Sequence, residues 1–159
     1  MQGWRYRMED AHITEINKGK NQKIHIFGVF DGHGGKEVSL FVKNHFVKEF
    51  LSNQNYEKFG DIKSALEETF LKMDELMQTR DGKKELKNYY LLSKKEDEEQ
   101  YKKIQKNLTP DEILQYQLYQ KFFEDSKANN NCDIATTTGC TACVLVIDEE
   151  NNILYFANS

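Results

Sequence analysis

Lys23-Ile24-His25-Ile26-Phe27-Gly28-Val29-Phe30 runs directly into Asp31-Gly32-His33-Gly34-Gly35, and a helix-like run follows over 36–51. In the first part, Ile24, Ile26 and Phe30 fall on one side of an extended chain and Phe27 and Val29 on the other. Two apolar faces predict a strand buried within a layered fold, ended by Asp31. After the glycines, Val38, Phe41, Val42, His45, Phe46 and Phe50 recur at helical spacing and give one apolar stripe. The pentapeptide is thus a strand-to-helix junction. It sets a carboxylate, a titratable imidazole and flexible glycines at the carboxyl end of a strand, where open sheets place chemistry.

Outward from this junction, residues 11–16 read as another strand, and the polar stretch 17–21 between them reads as a hairpin turn, so antiparallel pairing is expected. A second helix is predicted over 61–78, with Leu66, Phe70, Met73 and Met77 inward. The chain closes with a predicted hairpin: a strand over 139–148, a turn over 149–152 and a strand over 153–157.

Residues 80–131 differ in composition, being rich in Lys, Glu, Gln and Asn, and read as a charged helical insertion. Glu98 with Lys102 and Glu99 with Lys103 form i,i+4 pairs in the favourable order, which suits a solvated helix. Thr109-Pro110-Asp111-Glu112 has a capping residue, a proline at the first helical position and a Glu three residues after the cap. An amphipathic helix should follow, with Ile113, Leu114, Leu118, Phe122 and Phe123 as its apolar residues. Packing on the parent domain is the simpler role for it, and partner docking the alternative.

A chain of 159 residues is one domain's worth and buries about two-thirds of its unfolded surface. A single unit, monomeric, is the expectation. With 22 basic and 26 acidic residues it has a net charge of -4 and no basic stripe, which argues against nucleic acid as a partner. No apolar run approaches the length of a membrane span. The first residues carry no signal-like apolar core, and an intracellular home, cytoplasmic or nuclear, is expected. Cys140 and Cys143 have Cys-x-x-Cys spacing, but their odd separation in a predicted strand points them to opposite faces. They read as buried, reduced, packing residues. No Cys-x5-Arg loop follows any of the three cysteines, so a thiolate mechanism has no support.

The chemistry gathers around acids. An extended segment over 5–9 places Arg5, Arg7 and Glu9 on one side, and Tyr6, Met8 and Asp10 on the other. If the hairpin brings Glu9 and Asp10 beside Asp31, three carboxylates share one place, which is costly unless cations neutralise them. Oxygen-only donors favour Mg²⁺ or Mn²⁺ over zinc, and the Gly32 carbonyl supplies another hard oxygen. Asp31 has two oxygens with which to bridge two ions, and a water polarised between them would be available as hydroxide near neutral pH. Arg5 is placed to hold a phosphoryl group, and His33 to protonate a departing alkoxide. The plainer alternative is that Asp31 caps the helix, the glycines supply positive φ, Glu9 and Asp10 are solvated, and His33 is structural. The combination, with Arg5 in register, favours the functional reading. A binuclear nuclease or phosphodiesterase would be expected to bring several metal-binding histidines, and His25, His33 and His45 do not form a ligand set.

Four stretches then resemble successive signatures of the metal-dependent type 2C Ser/Thr protein phosphatases: Met-Gln-Gly-Trp-Arg-Tyr-Arg-Met-Glu-Asp-Ala-His over 1–12, Phe-Gly-Val-Phe-Asp-Gly-His-Gly-Gly over 27–35, Thr-Gly-Cys-Thr-Ala over 138–142 and Leu-Tyr-Phe-Ala-Asn-Ser over 154–159. The resemblance implies an α+β fold, a layered α-β-β-α sandwich of antiparallel sheets flanked by helices. It also implies hydrolysis of phosphoserine or phosphothreonine in phosphoprotein substrates, with two Mg²⁺ or Mn²⁺ ions and no phosphoenzyme. By resemblance Asp31 is the bridging metal ligand, Glu9 the ligand of one metal and Gly32 a carbonyl ligand. Asp10 resembles the acid that holds a metal-bound water, Arg5 the phosphate-binding residue and His33 the general acid. The chain is similar to roughly the amino-terminal half of such a catalytic domain, spanning 1–159, and two later metal-binding aspartates of the family pattern are not among its residues. A catalytically incomplete fragment or pseudophosphatase that recruits partners through 80–131 is the alternative.

Overall fold

The alternating residues of the central strand have one covered face and one open face. In the computed structural model of the chain, which describes residues 7–19, 23–127 and 133–159, Ile24, Ile26 and Phe30 are fully buried while Val29, on the other side, is 55% exposed. The expectation of a strand buried on both faces is corrected accordingly: among the described residues, helices cover one side only. Val29, Leu154 and Phe156 stand on the open side, the last two 61% and 62% exposed.

Four strands form a single antiparallel sheet in the order β1 (Ala11–Glu15), β2 (Ile24–His33), β3 (Gly139–Asp148) and β4 (Ile153–Asn158). β2 is longer than its apolar pattern predicts. Asp31 does not end it, because β3 pairs onward with Asp31 through Thr141, Gly32 through Cys140 and His33 through Gly139. The β3–β4 turn is held by the buried Asp148, whose carboxylate accepts from the Asn151 backbone N–H at 3.1 Å and from its side-chain amide at 2.7 Å.

The helices are α1 (Glu37–Ser52), α2 (Gln54–Phe59), α3 (Ile62–Gln78), α4 (Arg80–Ile104) and α5 (Pro110–Lys127). The expected stripe of α1 is buried at Val38, Phe41, Val42, Phe46 and Phe50, and Phe46 meets Phe30 and Phe70 at ring-centroid distances of 6.0 and 5.3 Å. His45 departs from that stripe: half-buried at its edge, it lies 4.4 Å from the Phe41 ring and 2.9 Å from a Glu85 oxygen. The short α2 has no periodic signal in the sequence. Its punctuation is local, an Asn53 side chain accepting from the Asn55 N–H at 2.8 Å and Gly60 in the left-handed region at φ 67°.

α4 corrects the picture of a purely solvated charged helix. Gly82, Leu86 and Ser93 are buried, and Tyr89 and Asp97 half-buried, which is a helical stripe turned to the body. Gly82 is required at the α3–α4 turn, since a Cβ there would lie 2.0 Å from the Leu76 carbonyl oxygen. α5 begins with the expected capping box: Glu112 accepts from the Thr109 backbone N–H at 2.8 Å, and the Thr109 hydroxyl accepts from the Glu112 N–H at 3.4 Å. Its face is not the expected one, because Ile113 and Tyr116 are half-buried while Leu114 and Leu118 are exposed. Tyr116 stacks on Tyr101 of α4 at 4.2 Å and 6°. Aromatic stacking between the two helices thus decides which side of α5 turns inward. Phe122 and Phe123 lie outside what is described for side chains.

Candidate active site

The site forms where β1 and β2 begin and end. Ala11 pairs with Phe30, so stepping back along the same register sets Asp10 beside Asp31 and Glu9 beside Gly32. The second approach is direct, since a Cβ on Gly32 would lie 2.3 Å from the Glu9 carbonyl oxygen. That oxygen accepts a hydrogen bond from the Ser39 hydroxyl, whose single proton is shared with the Lys36 carbonyl at 3.0 Å. The first turn of α1 therefore grips the acidic segment. Ser39 is fully buried in the first turn of α1, as is Glu37, and a small polar residue among the apolar positions that follow is the sequence signal that would have found it.

The expected alternation of this segment holds over the described residues: Arg7 and Glu9 are half-buried, Met8 and Asp10 exposed. It divides the acids. Asp10 and Asp31 are exposed at adjacent positions on neighbouring strands, whereas Glu9 lines a cavity of about 180 Å³ together with Arg7, Glu37, Ser93 and Asp97. His33 is exposed two residues beyond Asp31 on the same side of β2, which is about 7 Å along a strand. Its imidazole rests over Gly139, where a Cβ would come within 2.6 Å of Nε2. Gly34 and Gly35 take φ of 72° and 136°, and a Cβ on Gly34 would lie 2.4 Å from the Thr137 carbonyl oxygen. Asp31 does not cap α1: the cap position is Lys36, with no side-chain cap bond, and Asp31 belongs to the ladder. Arg5 lies outside the described residues.

A feature absent from the sequence reading is the contact made by α4. Asp97 forms an ion pair with Arg7, both side chains being less than 20% exposed, and Glu96 forms a second with Lys36. Burial pushes the Asp97 carboxyl above the ordinary carboxylate range, against the pull of the Arg7 and Lys36 charges. On the other side of Gly32, burial pushes the Cys140 thiol up to about 11, helped by the charges of Asp74 and Asp31. Cys140 thus stays protonated near neutral pH and supplies no nucleophile. Cys140 is half-buried and Cys143 is exposed on the open face of the sheet, which corrects the expectation that both cysteines are buried; Cys132 lies outside the described residues.

A sequence model of the family described as protein phosphatase 2C matches residues 1–90, more than half of the chain. The chain belongs to the protein phosphatase 2C family. It is 57% identical over 91 residues to "Probable protein phosphatase 2C 3" of Paramecium tetraurelia, covering 56% of this chain and 29% of that protein. It is 56% identical over 89 residues to "Protein phosphatase 2C 1" of the same organism, again 56% of this chain and 29% of that protein. "Probable protein phosphatase 2C 21" of Arabidopsis thaliana is 43% identical over 86 residues, 54% of this chain and 23% of that protein. The chain thus spans less than a third of the length of the curated relatives it matches. The protein phosphatase 2C match contains Glu9, Asp10, Asp31, Gly32 and His33, whereas Ser93 and Asp97 lie beyond it.

Metal dependence, which goes with the protein phosphatase 2C family, can be tested against the donors present. Asp31 and Glu9 offer carboxylate oxygens, and the close approach of Glu9 to Gly32 brings backbone carbonyls alongside, a set whose chemistry suits a hard divalent cation. Among the described residues no three His, Cys, Asp or Glu side chains form a group that could hold a metal ion, while the backbone sets Asp10 next to Asp31 and Glu9 against Gly32. The donor type fits, and the set is partial.

Proposed function

We propose that the protein hydrolyses phosphoserine and phosphothreonine in phosphoprotein substrates, with this chain supplying part of the catalytic domain. The observation that carries the reading is the β1–β2 register, which lines up Asp10 with Asp31 and sets Glu9 against Gly32 within the stretch that matches the protein phosphatase 2C family. Glu9, Asp31 and the Gly32 carbonyl are the residues that would hold Mg²⁺ or Mn²⁺, two ions in the complete domain. When bound, such ions polarise a water and make hydroxide available near neutral pH. Asp10 orients water beside Asp31 through its exposed carboxylate. Arg5 binds the phosphoryl group. His33, held over Gly139, protonates the departing serine or threonine oxygen. The protein acts as a monomer inside the cell, in cytoplasm or nucleus, and residues 80–131 are an insertion on the phosphatase domain.

The test is hydrolysis of a phosphothreonine peptide by the full-length protein over a Mn²⁺ series. Asp31→Asn should abolish the Mn²⁺ dependence, and His33→Asn should lower kcat by about 100-fold or more with alkyl phosphates. Activity that survives Asp31→Asn would sink the reading.

A second reading has its own observation. Leu91 and Leu92 on α4 and Leu114 and Leu118 on α5 are all exposed, at 47%, 55%, 54% and 59%. A non-catalytic protein could recruit a partner through them. Partner binding of equal strength with and without Mn²⁺, in a protein without turnover, would favour that role.

A further inference from the structure

The segment that carries Glu9 and Asp10 continues the line of β1 but lies just before its first paired residue, Ala11, so contacts other than the paired strand residues help to hold it. Among its ties are the Ser39 hydroxyl on the Glu9 carbonyl and the Asp97 carboxylate on the Arg7 guanidinium. The two differ in reach. Ser39 holds the backbone at Glu9 itself, whereas Arg7–Asp97 holds the chain two residues earlier and sets the direction in which it arrives at Gly32.

Asp97 is well placed to do this because its helix is firmly seated. Leu86 is fully buried in the core, the Glu85 carboxylate binds His45 of α1 at 2.9 Å, Ser93 is buried, and Lys83 pairs with Asp133 at 2.7 Å. The contacts of Lys83, Glu85 and Leu86 anchor the first turns of α4 on more than one side, and buried Ser93 lies one turn before Asp97 on the same face. The pair is also sheltered: side-chain exposures are 19% for Arg7 and 16% for Asp97, against 28% and 65% for Lys36 and Glu96. A sheltered guanidinium–carboxylate pair resists water and salt far better than an exposed one, whose worth is close to nothing.

We propose that Asp97 is a positioning residue of the catalytic site: through Arg7 it holds the segment 7–10 against Gly32, so that Glu9 is presented to a divalent cation in one geometry. The inference rests on the phosphatase reading above. It goes beyond that reading because Asp97 stands outside the stretch that matches the family, on a helix the sequence presents only as a charged insertion. The inserted helix is then a brace for the metal-binding segment as well as a surface.

The experiment measures Mn²⁺ binding to the full-length protein from the electron paramagnetic resonance signal of free Mn²⁺, alongside kcat at saturating Mn²⁺ with p-nitrophenyl phosphate. Asp97→Ala should weaken Mn²⁺ binding by about 10-fold, the low end for groups that orient metal ligands from outside. The value of kcat at saturation should change much less. The exchanged pair Arg7→Asp with Asp97→Arg should recover most of the affinity, and Glu96→Gln should leave it unchanged. If Asp97→Ala fails to fold, the exchanged pair decides: a folded protein with wild-type Mn²⁺ affinity supports the role, and one with weakened affinity overturns it. Wild-type affinity in Asp97→Ala also overturns it while leaving the phosphatase reading intact. A wild-type protein that neither binds Mn²⁺ nor turns over overturns both.

Discussion

At the scale of single residues, the site depends on side chains that are absent as much as on those present. Gly32 admits the Glu9 carbonyl to a distance that any Cβ would block, at 2.3 Å. Gly32→Ala is therefore expected to push the segment 7–10 away and to destabilise the protein by about 1–3 kcal/mol, read as a lower urea midpoint. Tyr56 offers the opposite case. Its ring stacks on Phe50 at 5.1 Å, while its hydroxyl is buried without a hydrogen-bond partner among the described residues, and burial with the nearby Asp148 and Glu150 charges raises its pKa. Tyr56→Phe keeps the stacking and removes an unsatisfied polar group, so stability should hold or rise by about 1 kcal/mol. A loss of stability would mean that the hydroxyl has a partner. Cys140, with its thiol raised to about 11, should react with a disulfide reagent near pH 8 roughly 100-fold more slowly than an ordinary thiol of pKa about 8.5. A single-cysteine variant retaining Cys140 gives the measurement.

At the scale of elements, what could be read in the sequence was what periodicity controls. β1, α1, α3 and the β3–β4 hairpin follow from alternation or from a 3.6-residue stripe, and the capping box announced α5. Three features did not follow. The extension of β2 through His33 depends on pairing with β3, which starts more than a hundred residues later and leaves no mark on the Asp31–His33 tripeptide. α2 is six residues long and too short for a stripe. The inward side of α5 is set by Tyr116 meeting Tyr101, a contact between elements. The seating of α4 has a local marker that can be tested. Thr79 ends α3 and caps α4, its hydroxyl accepting from the Gly82 N–H at 3.0 Å. Thr79→Ala should cost about 1 kcal/mol and lower Tm by about 2–4 °C, with Thr79→Ser recovering most of it. A melting temperature unchanged by Thr79→Ala would show that α4 is held by Leu86 and its ion pairs alone.

At the scale of the whole molecule, four carboxylates respond to acid in two opposite ways. Asp61 is held below the ordinary carboxylate range chiefly by the Ser64 hydroxyl, Glu112 by the Thr109 backbone and hydroxyl, and Glu149 by Lys23 and His25. A carboxylate depressed in the folded state stabilises the fold above its unfolded pKa and loses that contribution as pH falls through its folded value. All three therefore make the protein less stable on acidification. Asp97 works the other way. Its neighbours are Arg7, Lys36, Glu96 and Glu37, and burial outweighs the two cations, so its folded pKa lies above its unfolded one. Protonation then favours the folded state, and stability from this group is lost as pH rises through the raised value and regained as pH falls. The prediction is a urea midpoint nearly level between about pH 7 and about pH 5, dropping towards about pH 3.5. Asp97→Asn, which cannot take up the proton, should fall more steeply over the same interval, because its opposing contribution is gone. Parallel pH profiles for the two proteins would mean that Arg7 and Lys36 outweigh burial at Asp97, and that the carboxylate on the inserted helix is charged throughout.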